Sequence, residues 1–276
     1  MLQLFPRYQK KILLSIGIWL AFLASAFILY GGIHPLLLVL AAVIGVIVVI
    51  LVQATHATGA HNGLLNILYN ELNAERFVRE YEPLLDIPVK NPQLYLMLRL
   101  HLSNAYCAQG RFEEARELLE STKSQNKNPE QALIGEFALA SNLCYCAEQM
   151  NDLPAAKAYL SRLLTIKKQL EEMQKSKPEK KRMVFSSALN EQCVRFLETG
   201  KADVEFLKSH VQANNTQQLH KVTTSLWIAR AYLAENNRRE AEKLLRRIAE
   251  LAPHLHPGRC AKELLDQLPE KNETNA

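Results

Sequence analysis

Leu100 to Glu120 reads LHLSNAYCAQGRFEEARELLE, two helix-forming stretches on either side of one glycine. The first runs through Asn104-Ala105-Tyr106, and the second carries Phe112, Ala115 and Leu119 at helical spacing. Gly110 between them supplies the left-handed residue that ends a helix without a Cβ penalty. Ala115 is small enough for the two helices of the pair to approach closely. The stretch therefore reads as helix, tight turn, helix.

Working outward, the same pattern returns. A second copy runs through Leu143, Cys144, Asn151, Leu153, Ala156 and Leu160. A third runs through Trp227, Ile228, Ala231, Tyr232, Asn236, Ala241, Leu245 and Ile248 and ends in Ala252-Pro253. Asn151 and Asn236 stand where the first copy has glycine, a substitution that asparagine tolerates because it adopts the left-handed conformation more readily than other residues with a Cβ. Two weaker pairs flank these copies. Phe185 to Phe196 and Asp203 to Val211 turn around Gly200, with Glu205 where the small second-helix residue is expected. Ala60 to Leu85 carries Leu64, Leu65, Leu68, Tyr69 and Leu72, then Phe77, Tyr81, Leu84 and Leu85. Ala261 to Leu268 reads as a terminal capping helix.

These motifs resemble the tetratricopeptide repeat, with Tyr106, Gly110, Ala115, Asn151, Ala156, Tyr232, Ala241 and Pro253 at its structural positions. The spacing from Ala115 to Ala156 exceeds the usual repeat of about 34 residues, and the connection near Ser124 to Pro129 is expected to absorb the excess. The resemblance implies an all-α solenoid of stacked helical pairs winding into a short right-handed superhelix. A plain helical bundle is the alternative. It also implies that the first helix of each pair lines a concave surface, which assigns Asn104, Cys107, Ser141, Tyr145, Glu148, Asn190 and Arg230 to a partner-binding groove.

The first fifty residues obey a different pattern. Ile12 to Tyr30 and Leu36 to Val52 are apolar runs that contain no Asp, Glu, Lys, Arg or His. Each is close to the length that crosses the roughly 30 Å hydrocarbon core of a bilayer. Gly31, Gly32, Ile33, His34 and Pro35 separate them, so the expectation is a transmembrane hairpin. Gly17, Ala21 and Ser25 on one helix and Ala41 and Gly45 on the other form small-residue stripes suited to face each other. Arg7, Lys10 and Lys11 precede the first run and no basic residue lies in the turn, which places the N-terminus and everything after the second run in the cytoplasm. A secretory signal peptide ending near Ala24-Ser25-Ala26 is the competing reading. The domain plan is a hairpin over 1–52, a small polar linker over 53–63, a repeat domain over 64–269 and a polar tail over 270–276.

Five cysteines, Cys107, Cys144, Cys146, Cys193 and Cys260, form no disulfide framework and suit a reducing compartment. On that reading the Asn214 and Asn272 sequons are chance matches. The chain has no phosphate-binding glycine loop, no His-Glu-x-x-His and no Gly-x-Ser-x-Gly, so neither an enzyme nor a cofactor is expected. His254, His256 and Cys260, with Cys144 or Cys146, are the best metal-ligand set, read more simply as a loop and packing cysteines. His56 and His61 read as polar linker residues. Lys167 to Arg182, KKQLEEMQKSKPEKKR, and the helix-borne Arg239, Lys243, Arg246 and Arg247 are local basic clusters in a chain of net charge +5. They suit anionic lipid headgroups or an acidic partner, or are simply solvated. Aromatic residues do not interleave with them, so nucleic acid is not expected. The function these features point to is a membrane-tethered scaffold that binds proteins or peptide segments. The alternatives are a regulatory or chaperone-like subunit of another membrane protein and, third, a metal-dependent enzyme.

Overall fold

The computed structural model describes residues 1–30, 34–124, 126–173, 179–213 and 216–269, and for residues 30 and 179–186 the backbone only. The turn at 31–33, much of the basic segment after Lys167, the Asn214 and Asn272 sequons and the expected tail at 270–276 lie outside these. All regular structure among the described residues is helical. The chain divides into two compact units, Met1–Leu65 with Asp86–Val89, and Asn66–Leu85 with Lys90–Ala276.

In the first unit, α1 spans Pro6–Tyr30 and α2 runs from Pro35 to Tyr69, ending inside the second unit. Both are long and apolar enough to cross a membrane, and 0% of either apolar stretch is buried within the chain. The indole of Trp19 joins them by donating to the carbonyl of Ala41 at 3.3 Å. Gly45 makes room for that ring, since a Cβ there would lie 1.9 Å from the indole nitrogen. The two small-residue stripes therefore do not simply face each other: a Cβ at Gly17 would meet nothing within 4 Å beyond its own helix, whereas a tryptophan fills the notch at Gly45.

Residues 53–63, expected as a linker, are helical and continue α2 without a break. Extending an existing helix adds one hydrogen bond per residue with no new nucleus to form. Thr55 and Thr58 turn their hydroxyls back onto the carbonyls of Leu51 and Ala54 at 2.9 Å instead of ending the helix. His61, read as a linker residue, is 1% exposed. The ring of His56 stacks on that of Tyr8, with centroids 6.3 Å apart.

The second unit is a series of short antiparallel helices. After α2 come α3 (Ala74–Tyr81), α4 (Pro92–Gln109), α5 (Phe112–Glu120), α6 (Pro129–Gln149) and α7 (Leu153–Met173). They are followed by α8 (Glu179–Thr199), α9 (Val204–Gln212), α10 (Gln218–Ala234), α11 (Arg238–Leu251) and α12 (His256–Asp266). Asparagine followed by proline starts both α4 and α6. The Asn91 side chain accepts from the amides of Gln93 and Leu94, and that of Asn128 from Gln131.

Left-handed residues end the first helix of each pair: Gly110 at φ 82°, Asn151 at 57°, Gly200 at 69° and Asn236 at 60°. At three of these turns the amide after the left-handed residue reaches back five positions, Arg111 to Tyr106, Asp152 to Ala147 and Asn237 to Tyr232, at 2.8–2.9 Å. Leu72, at φ 59°, plays this part between α2 and α3. The small residues expected on the second helices, Ala115, Ala156 and Ala241, are each 0% exposed. Pro253 lies two residues past the end of α11. The excess length of the second copy lies in the 121–128 connection and in longer helices, 21 residues in α6 against 18 in α4.

Cores form between successive pairs. Phe137 and Ala140 of α6 pack on Leu163, Ile166 and Leu170 of α7. Cys144 and Ala147 of α6 meet Ala156 of α7 and Val194 of α8. Cys193, Leu207, Trp227, Ile228, Tyr232 and Ala241 gather α8 to α11. Capping begins earlier than expected: α12 starts at His256, packs chiefly on α11 and also touches α10 and α4.

Candidate functional site

The seven candidate groove residues all lie on the first helices of the pairs: Asn104 and Cys107 on α4, Ser141, Tyr145 and Glu148 on α6, Asn190 on α8 and Arg230 on α10. α4 packs against α6, and α6 against α8, so the candidates follow one another across neighbouring helices. Most are engaged with each other or with a neighbour. Asn104 donates to the Tyr69 hydroxyl at 2.9 Å, and that hydroxyl lies 2.8 Å from Nδ1 of His101. The sulfurs of Cys107 and Cys146 are 3.4 Å apart. The Asn190 amide donates to both the hydroxyl and the carbonyl of Ser141, at 3.1 and 3.2 Å.

Glu148 is the deepest of the set, 1% exposed. One of its oxygens accepts from the Cys144 thiol at 3.2 Å, while the other, Oε2, has no partner among the described residues. Burial raises the pKa of its carboxyl to about 8, and the thiols of Cys144 and Cys193 offset part of that rise by hydrogen bonding. Tyr145 is half-buried, and its phenol is pushed well above the usual range by burial and then by Cys107, Cys146, Glu148 and Cys193. Its hydroxyl has no hydrogen-bond partner among the described residues.

Arg230 stacks its guanidinium over the Trp227 ring, 5.0 Å from the centroid, and burial raises the pKa of the Cys260 thiol of α12 while the Arg230 charge offsets part of that rise. Among the described residues Arg230 has no carboxylate partner. Tyr145 and Arg230 are thus the two candidates that keep polar capacity for an outside ligand.

Sequence reasoning missed the aromatic group around Tyr69. That ring lies 5.7 Å from His101 and 5.6 Å from His220 of α10. Burial holds the Tyr69 phenol up at about 12 and His220 down at about 4, although His220 as a whole residue is exposed. Tyr69 stands in the apolar helical pattern before Leu72, and only its hydroxyl signals a further role. Tyr106, read as structural, donates to Glu82 at 2.8 Å and carries the Arg111 guanidinium 4.2 Å above its ring.

The proposed metal ligands do not assemble. Cys260 reaches His256 at 3.2 Å, but Cys144 faces Glu148 and Cys146 faces Cys107. Cysteines two apart on a helix point in different directions, which is why these two cannot converge. No set of three or more His, Cys, Asp or Glu suited to a metal occurs among the described residues.

The tetratricopeptide repeat family matches residues 224–254, which cover most of α10 and all of α11. This chain carries a tetratricopeptide repeat. No curated protein and no solved structure matches it. The pairs α4–α5 and α6–α7 have the same turn hydrogen bond and the same buried alanine as the matched repeat, and the unit is an all-α helical repeat. In it, α4, α6 and α10 occupy the first-helix position, and Glu205 of α9, exposed and paired with Lys208, marks where the pattern lapses.

Proposed function

We propose that the chain is a membrane-tethered scaffold that captures proteins or peptide segments on the first helices of its repeats. The observation that carries this is the pairing of a tetratricopeptide array with Tyr145 and Arg230, a phenol and a stacked guanidinium without carboxylate partners on those helices. A planar guanidinium held on an indole loses little freedom when it meets a carbonyl or carboxylate. Two N-terminal helices act as the anchor, with the N-terminus and the repeats on the cytoplasmic side, as Arg7, Lys10 and Lys11 favour. The five free cysteines support a reducing compartment. Exposed Arg239, Lys243 and Arg247 on α11 suit contact with anionic headgroups near such an anchor. Tethering raises the effective concentration of captured proteins at the bilayer, so that a second encounter there becomes intramolecular.

Cross-linking in native membranes, followed by partner identification, tests this reading. The double variant Tyr145→Phe and Arg230→Gln should lose its cross-linked partners while keeping the helical content and Tm of the parent. Unchanged capture would remove the site assignment. Exchanging the hairpin for an unrelated anchor should leave capture intact; its loss would favour a subunit that recognises a membrane protein through the hairpin itself.

A further inference from the structure

Around Tyr8 the first unit gathers positive charge that no carboxylate neutralises among the described residues. The Arg7 guanidinium lies 4.9 Å from the centroid of the Tyr8 ring and the Lys11 ammonium 5.7 Å, and Lys10 beside them is exposed. Residues 1–70 contain no Asp or Glu. Asp86, the acidic residue that belongs to this unit, forms no ion pair among the described residues, and neither do Arg7, Lys10 and Lys11. Like charges held about one ring repel each other, so an anion is welcome there. The ring itself is fixed: the Phe5 ring meets it edge-on with centroids 6.1 Å apart, and the His56 ring of α2 stacks on it with planes 9° apart. Leu4 is buried, and the Gln9 side chain donates to the Leu2 carbonyl at 3.0 Å, which folds the short Leu2–Leu4 turn back onto the start of α1. Arg7 Nη2 donates to the Tyr8 hydroxyl at 3.2 Å, which leaves the phenolic proton without an acceptor among the described residues.

Tyr8 stands four residues before the apolar run that begins at Ile12, and His56 four residues after the run that ends at Val52. At 1.5 Å per residue both lie about 6 Å outside the runs, and their stacking puts the two rings at one height. The polar layer beyond the hydrocarbon of a bilayer is about 5–7 Å deep on each side, so this is the depth of its phosphates. Next to the cluster the surface is apolar and bare, with Leu13, Leu14 and Leu51 exposed. A ligand that suits both regions joins a group of anionic oxygens to a long hydrocarbon tail. Soluble phosphate suits only the first region, and an acidic peptide brings no tail. A phosphatidylcholine headgroup already balances its phosphate with a trimethylammonium, so a headgroup of net negative charge fits the cluster better.

We propose that Arg7, Tyr8 and Lys11 bind the phosphate of an anionic glycerophospholipid, whose acyl chains lie along the apolar run that starts at Ile12. This rests on the reading of α1 and α2 as membrane spans. The Arg7 guanidinium offers a planar pair of donors to two phosphate oxygens, Tyr8 gives its phenolic proton to one of them, and the Lys11 ammonium balances the charge. The site is separate from the exposed basic residues of α11, because all of its parts lie within the first unit.

The full chain in dodecyl maltoside micelles is mixed with dioleoyl phosphatidylglycerol or dioleoyl phosphatidylcholine, and bound lipid is read by native mass spectrometry. The parent should hold the anionic lipid about 25-fold more tightly, since each basic residue beside a charged headgroup contributes about five-fold. Arg7→Gln with Lys11→Gln should remove that preference, and Tyr8→Phe should reduce it. Arg7→Lys with Lys11→Arg, which keeps the charge, should retain most of it. Replacing Arg239, Lys243 and Arg247 of α11 by glutamine should leave it in place. Micelles impose no orientation, so losing the charges that favour a cytoplasmic N-terminus does not disturb the measurement. Equal retention of the two lipids by the parent overturns the site, as does a preference that survives the double glutamine variant or is lost with the α11 residues. Binding of inorganic phosphate alone at the affinity of the lipid also overturns it, because the tail would then contribute nothing. Alkaline carbonate extraction is read separately: an inserted chain without the preference removes this site and leaves the tether, whereas a chain that extracts removes the spans on which both depend.

Discussion

Glu148 shows what one side chain can impose on the repeat unit. Its carboxyl titrates near 8 when folded against an ordinary 4.5, so folding favours the protonated form. The contribution is complete below the unfolded value and is lost as the pH rises through the folded one, so stability falls between about pH 5 and pH 8. Every tenfold change in proton affinity is worth about 1.4 kcal/mol, which makes the expected contribution a few kcal/mol. Glu148→Gln, which keeps the shape and removes the titration, should flatten the dependence of Tm on pH and raise Tm at pH 9 relative to the parent. Parallel pH profiles of the two proteins would refute the assignment. Asn236 offers a second test at this scale. It is exposed and left-handed, so only its backbone conformation is at stake. Asn236→Ala should cost about 1 kcal/mol, the penalty of a Cβ without the compensating amide, and Asn236→Gly should be neutral or stabilising. Urea titrations of the three proteins should give midpoints in the order glycine, asparagine, alanine.

Element by element, what the sequence discloses depends on whether the deciding interaction is local. The turns at Gly110, Asn151, Gly200 and Asn236 are legible because a left-handed residue leaves a mark on composition, and Ala115, Ala156 and Ala241 because close helix approach demands a small side chain. Leu72 is not, since leucine is no signal for φ 59° and only the surrounding packing holds it there. Asn91-Pro92 and Asn128-Pro129 are start signals that apolar spacing alone does not bring out, and they yield a prediction. Asn91 accepts two amides at 2.9 and 3.2 Å, so Asn91→Ala should cost about 1 kcal/mol by circular dichroism melting. A loss below a few tenths would mean that Pro92 alone sets the start of α4. The expectation of a linker over 53–63 fails because glycine and threonine weaken an isolated helix but do not stop one already propagating from α2. Groove assignments fare differently again. Repeat position places the seven residues on first helices, but the partners that occupy Asn104, Cys107, Ser141, Glu148 and Asn190 come mostly from other helices, and no local pattern encodes such pairings.

At the scale of the whole molecule, α1 and α2 are not core helices of this chain, since 0% of either apolar stretch is buried within it. Leu13, Ile28 and Leu36 are 73%, 79% and 68% exposed, and most large apolar side chains around them are similarly bare. Removing each from water contributes about 1.5–3 kcal/mol, a drive that soluble domains of this size do not leave unused. Three outcomes satisfy it in whole or in part: retention of both helices in a bilayer; removal of α1 as a signal sequence, which would leave α2 equally bare; or cover from another copy or another protein. The second therefore solves half of the problem, and retention of both is the expected result. Alkaline carbonate extraction should leave the chain in the membrane pellet, and peptides from the segment between Gln3 and Lys11 should be recovered from the same material. Their absence, with a new N-terminus just past Ala26, would show that α1 is cleaved, and the hairpin, the cytoplasmic placement of the repeats and tethering by two helices would fall together. Release of the intact chain into the supernatant would instead mean that another copy or another protein covers these helices.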